Sequence, residues 1–193
     1  MSKKGIGTTS DFLEWSKVIY LIESLKKDKD YTMLLLVGLG SYTGLRYSDL
    51  KKLKWNDILS GKELVLTEKK TNKTKEVGVN PNLKEIISYV IEQDPGRLKR
   101  SEFILTNKKG GTLSIQYLNK QLKSINIKYK LKLNNCSVHS FRKSFGRRIY
   151  EMNNSSEHSL IVLSQIFNHS SLSITRSYLN LKKEEINNIY LSL

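Results

Sequence analysis

The chain has 193 residues, a single cysteine, and 33 Lys and Arg against 18 Asp and Glu, giving a formal charge of +15. That length accommodates one hydrophobic core, the lone Cys136 excludes an internal disulfide, and the longest apolar run, Met33 to Val37, is far short of the ~20 residues a bilayer span requires. A soluble protein of a reducing compartment, the cytoplasm, is expected, with no membrane partner. The excess of positive charge points to a polyanion, nucleic acid first, although lysine-rich surfaces also occur without one.

Residues 1–10 are polar and glycine-containing and are expected to form a flexible tail. Ser10-Asp11 offers a helix start, and Phe12, Trp15, Ile19 and Ile22 recur at helical spacing, predicting a helix over about 11–27. The run Tyr31 to Ser41 is apolar nearly all round and reads as a buried helix. It leads to Gly44, which permits a sharp turn. A short helix then carries Arg46 and Asp49 three residues apart. Trp55–Ile58, Glu63–Lys69 and Lys75–Val79 read as strands. Asn80-Pro81 opens a helix to about Glu92, which Asp94-Pro95-Gly96 ends. Phe103–Thr106 is expected to be extended and Ser114–Ile125 helical, while 126–136 shows no clear period. Helices over about 138–152, 157–167, 171–179 and 183–192 complete the chain. The expected fold is mainly α with a small three-stranded antiparallel sheet, in one domain over 11–193.

All three histidines lie in the stretch from His139 to Tyr178. Ser137 is a candidate N-cap for a helix that carries His139 and Arg142 on one face, near its positive end, where a phosphate is well placed. Phe167-Asn168-His169-Ser170-Ser171 reads as a tight break before a short helix bearing Tyr178. Cys136, His139, His158 and His169 match no common zinc-ligand spacing, so no metal is expected. His158 reads as an exposed residue at a helix start, and Tyr190 as a packing residue.

Taken in order, Thr43-Gly44-Leu45-Arg46, Lys70, His139-Ser140-Phe141-Arg142, Asn168-His169-Ser170-Ser171 and Tyr178 resemble the catalytic set of the tyrosine recombinases, or phage integrase family. The resemblance spans about residues 10–190. It implies a site-specific recombinase that cleaves and rejoins double-stranded DNA through a 3′-phosphotyrosine, without metal, ATP or other cofactor. The setting it implies is a bacterial or phage nucleoid, or a mobile element. Arg46 and Arg142 would hold the phosphate, since a guanidinium keeps its charge and grips oxygens through a planar fork. Tyr178 would be the nucleophile, His139 the general base and His169 a phosphate ligand. Lys70 would protonate the leaving 5′ oxygen, with Lys69 and Lys73 as alternatives. Asp49 would orient its basic neighbours, and Lys69, Lys73, Lys75, Lys143, Arg147 and Arg176 would supply DNA contacts.

Lys143 stands where the family often has histidine, and Asn168 where it usually has glycine. The separate N-terminal DNA-binding domain of most relatives is absent from the sequence, which leaves either a minimal recombinase or an excised catalytic domain. Ile186, Ile189, Tyr190 and Leu193 share helical spacing. In the family the corresponding tail helix docks on a neighbouring protomer, implying a homotetramer on DNA. A topoisomerase-like DNA-relaxing enzyme and a non-catalytic DNA-binding protein on the same fold remain as alternatives.

Overall fold

A computed structural model describes residues 10–61, 63–67, 74–181 and 190–192. Helix α1 (Trp15–Lys27) begins at Trp15 rather than near Asp11. The Asp11 carboxylate is engaged elsewhere, accepting the backbone N–H groups of Asn134 at 2.7 Å and Asn135 at 3.1 Å. This holds the segment before α1 against the far half of the chain, where Leu13 is buried and its N–H donates to Ser144 Oγ at 2.8 Å.

Helix α2 (Tyr31–Thr43) is capped by the Asp30 carboxylate, which accepts from the Met33 N–H at 3.2 Å. Met33 through Ser41 are all buried, as an all-round apolar helix requires. It is followed by α3 (Tyr47–Leu50) and α4 (Trp55–Leu59). The expected strand at Trp55–Ile58 is therefore a helix. Its start is fixed by the Asp57 carboxylate accepting the Lys54 N–H at 2.7 Å, and Trp55 and Ile58, three apart, are both buried on one face. Among the described residues the sheet has two strands, and the expected third is not found: β1 (Glu63–Thr67) and β2 (Thr74–Gly78) pair antiparallel in register from Glu63↔Gly78 to Thr67↔Thr74.

Helix α5 (Pro81–Gln93) starts as expected, with Pro81 in its first turn and the Asn80 side chain accepting from the Asn82 N–H. A short α6 (Gly96–Arg100), unforeseen in the sequence, follows the break; Arg97 and Arg100 both pair with Asp94, at 3.2 and 2.6 Å. The extended segment after it forms only isolated bridges, Lys54↔Phe103 and Thr106↔Thr112. Helices α7 (Ile115–Lys128), α8 (Val138–Met152), α9 (Glu157–Phe167) and α10 (Leu172–Tyr178) lie close to their expected ranges.

Helices α1, α5 and α8 pack on α2. The approach of α8 is close: a Cβ on Gly40 would lie 2.8 Å from the Cβ of Phe141. A second, smaller core gathers Leu160, Leu163, Phe167, Leu179 and Leu181 under α9 and α10. Helix α8 serves both cores, with Phe141 in the first and Phe145 against the second. Truncating a fully buried phenylalanine such as Phe167 to alanine costs about 3–5 kcal/mol. The seam between the two cores is where the candidate site forms.

Of the expected tail helix over 183–192, only 190–192 are described; Tyr190 there is 74% exposed and does not pack as expected. Lys69, Lys70 and Lys73 lie outside the described residues. Among the described residues no helix is long and apolar enough to cross a membrane, and no three His, Cys, Asp or Glu side chains are grouped to hold a metal ion.

Candidate active site

Helix α2 ends in a left-handed residue, Gly44, at φ +61°. A side chain there would be strained, and its Cβ would meet Phe145 Cδ1 at 2.5 Å. Glycine thus lets the chain turn against α8. The turn exposes the Gly44 carbonyl to Arg142, whose Nη1 donates to it at 2.6 Å. Two residues on, Arg46 sits at the N-cap of α3 and donates from Nη2 to the Phe167 carbonyl at 3.0 Å. Arg142 Nη2 donates to that same carbonyl at 3.0 Å. The two guanidinium groups, 96 residues apart in sequence (142 − 46), therefore converge on the last residue of α9.

Helix α8 is started by Ser137, whose hydroxyl accepts from the His139 N–H at 3.2 Å while its own N–H donates to Ser140 Oγ at 3.1 Å. This sets His139 and Arg142 on one face. After α9, Asn168 takes the left-handed conformation at φ 51°, ψ 53°, and His169 N–H donates to the Ser164 carbonyl at 2.9 Å. Asparagine tolerates this geometry better than most residues, so the turn forms without glycine. His169 Nδ1 lies 3.0 Å from Thr175 Oγ1, which fixes the ring. The rings of Phe167, His169 and Tyr178 are mutually 5.4 Å apart by centroid, and the Arg142 guanidinium lies 4.3 Å from the Phe167 centroid.

Arg46, His139, Arg142, His169 and Tyr178 are thus brought into one cluster, with Asp49 near enough to act on Arg142. Burial, with Arg46 beside it, lowers Arg142 to about 10, against the favourable pull of Tyr178 and Asp49. Burial also lowers His169, and Arg142 and Arg46 add to the effect. His139 is exposed by surface area yet set in a recess with protein on several sides; the loss of hydration, followed by Arg142, Arg46 and Lys143, lowers it too. The tyrosine moves the other way, raised by burial and opposed by Arg142 and Arg46. Its hydroxyl is shut from solvent and meets no hydrogen-bond partner at good geometry among the described residues, although Arg142 stands close enough to favour its phenolate. Two arginines and two imidazoles held neutral around a phenol form a receptor for a tetrahedral anion beside an oxygen nucleophile.

The basic residues expected on DNA separate. Lys143 is 2% exposed and faces the Tyr178 ring instead of the surface. Arg147 lies over the Phe12 ring and pairs with Glu151 at 3.6 Å. Arg176 is partly exposed on α10, and Lys75 stands on β2. The Phe167 carbonyl that both arginines share, the Thr175 hydroxyl on His169 and Ser10 beside the tyrosine were not found from sequence. A backbone acceptor has no sequence signature; Thr175, three residues before Tyr178 on the same helix, does carry a helical-spacing signal.

The phage integrase family model matches residues 12–185, most of the chain. The chain belongs to the phage integrase family. Among curated family members, the tyrosine recombinase XerD of Staphylococcus epidermidis is 27% identical over 185 residues, covering 93% of this chain and 61% of that protein. XerH of Helicobacter pylori is 27% identical over 159 residues, covering 79% and 42%. The probable integrase/recombinase YoeC of Bacillus subtilis is 27% identical over 164 residues, covering 83% of this chain and 82% of that protein. The chain thus spans about half the length of the first two. Family structures share its fold. XerA recombinase matches with a TM-score of 0.72 at 18% identity, over 96% of this chain and 65% of that one. XerH bound to its difH substrate before cleavage gives 0.69 at 21%, over 95% and 54%.

Proposed function

We propose that residues 11–193 act as the catalytic domain of a site-specific DNA recombinase. The observation that carries this reading is the convergence of Arg46 and Arg142 on the Phe167 carbonyl beside the buried Tyr178 hydroxyl. In the proposed reaction Tyr178 Oη attacks the scissile phosphorus and gives up its proton to His139. The bond from phosphorus to the 5′ oxygen breaks, and that oxygen takes a proton from Lys70. The product is a 3′-phosphotyrosine and a free 5′ hydroxyl, and attack by a 5′ hydroxyl from another strand reverses the step. The arginines and His169 hold the nonbridging oxygens, on which charge grows in the transition state. The phosphotyrosine conserves the bond energy and the arginines supply the charge, so this scheme calls for neither ATP nor metal.

DNA as substrate is supported by the +15 charge and by the DNA-bound relative XerH. Assembly as a tetramer on DNA through the tail helix is part of the same proposal. The test is trapping on a nicked suicide duplex. A covalent protein–DNA adduct is expected, lost in Tyr178→Phe while DNA binding persists. Adduct from Tyr178→Phe at wild-type yield would refute the reading, and products relaxed without strand exchange would assign topoisomerase activity instead.

A further inference from the structure

Lys143 follows Arg142 on α8 and is almost wholly buried, and its Nζ has no hydrogen-bond partner among the described residues. A buried ammonium in that condition is costly unless its charge serves something nearby. The Nζ lies 5.1 Å from the centroid of the Tyr178 ring. Phe167 and His169 meet that ring at interplanar angles of 73°, so three side chains confine it. A cavity of about 560 Å³ opens beside them, lined by His139, Lys143, Ser177 and Tyr178 among others.

We propose that Lys143 is a positioning residue for Tyr178, holding the ring by a cation–π contact while its positive charge favours the phenolate needed for attack. The role in attack rests on the reading of Tyr178 as nucleophile. Arg142 also favours the phenolate, but it donates to the carbonyls of Gly44 and Phe167, whereas the Lys143 ammonium has no hydrogen-bond partner among the described residues. The charged and titratable groups around this pair are His139 and Arg142 from α8, Arg46 at the N-cap of α3, His169 from the turn before α10, and Asp11 from the segment before α1, with Asp49 of α3 acting on Arg142. Burial lowers the ammonium, and Asp11 opposes that shift. Tyr178 is raised by burial, and in so poorly hydrated a site a cation at its ring is weakly screened. A unit charge at a range of this order, with an effective dielectric of ~20, shifts a phenol by about one to two pH units.

The experiment reads that shift directly. Ring-¹³C-tyrosine NMR, with the Tyr178 signal assigned by Tyr178→Phe, follows the phenol in the wild type and in Lys143→Met, whose side chain is similar in length and uncharged. The expected result in Lys143→Met is titration at least about one pH unit higher, with the alkaline-rising limb of adduct formation displaced equally and the rate at pH 7 down ~10-fold. An unmoved phenol overturns the proposal, as does slower cleavage with an unshifted profile. If normal Tyr178-dependent adduct accompanies an unmoved phenol, the nucleophile reading stands and this proposal falls. If the phenol moves while the wild type forms no adduct, the reading of function falls and the electrostatic role stands. Should Lys143→Met not fold, Lys143→Gln is read the same way, and failure of both to fold assigns a structural role and overturns the proposal.

Discussion

Arg142→Lys separates the geometry of the proposed phosphate clamp from its charge. Arg142 donates through two nitrogens to two carbonyls, at 2.6 Å to Gly44 and 3.0 Å to Phe167. A lysine ammonium reaches one of them at best from the same backbone position. Loss of one charge-assisted hydrogen bond costs about 2 kcal/mol, which for a protein of this size lowers Tm by about 4–8 °C. The Phe167 carbonyl still has Arg46, so the Gly44 carbonyl is the one at risk. Catalysis should suffer more: losing a preorganised donor to developing oxyanion charge slows cleavage about 10²–10³-fold, or about 2.7–4 kcal/mol. Arg142→Met is the control. The lowering of Arg142 to about 10, with burial as its largest cause, means that the site disfavours its charge by roughly 3 kcal/mol. That penalty holds at every pH below about 10, because the proton leaves only between the folded and unfolded values. Methionine loses both hydrogen bonds but also removes the penalty, so its Tm should fall no further than that of Arg142→Lys while cleavage is at least as slow. The assay is single-turnover adduct formation on the nicked duplex, at saturating protein and well below either Tm. Cleavage within about threefold of wild type in Arg142→Lys would refute the clamp.

The histidines set an acid limit on stability: His139 and His169 are both lowered, so the unfolded chain takes up protons first as pH falls below about 6.5, and stability is lost through the folded values. Between pH 7.5 and 5.5 the Tm of His139→Gln/His169→Asn should decline less than that of the wild type; equal declines would show that these rings are not the cause. A substrate with a 5′-bridging sulfur needs no acid and should rescue cleavage by Lys70→Ala, and rescue of Lys73→Ala alone would move the acid to Lys73. The tail is best tested by truncation after Leu181 and not after Asn180, because Leu181 is 4% exposed in the smaller core. This truncation should leave half-site binding unchanged and reduce cooperative binding to a full site, and intact cooperativity in a gel-shift series would remove the tail from assembly.

Features encoded within a few residues were legible in the sequence. Asp30, Asn80, Ser137, Ser156 and Ser171 accept hydrogen bonds at helix N-termini, and Gly44 and Asn168 take the left-handed turns their types allow. Arg46, His139, Arg142, His169 and Tyr178 were legible through the resemblance of their motifs, in order, to the family's catalytic set. Helix α4 departs from the strand its sequence suggests, because a five-residue element with two buried apolar groups carries too little periodicity to distinguish helix from strand, and the Asp57 cap decides for helix. Tertiary structure alone decided the rest. Asp11 leaves the start of α1 to hold Asn134 and Asn135, both arginines share one backbone carbonyl, and Lys143, a residue type usual at surfaces, is buried against Tyr178. Each of these follows from how α8 packs against α2 on one side and α9 and α10 on the other. A side chain's burial depends on the summed packing of distant segments, whereas its neighbours in sequence fix only its direction along a helix.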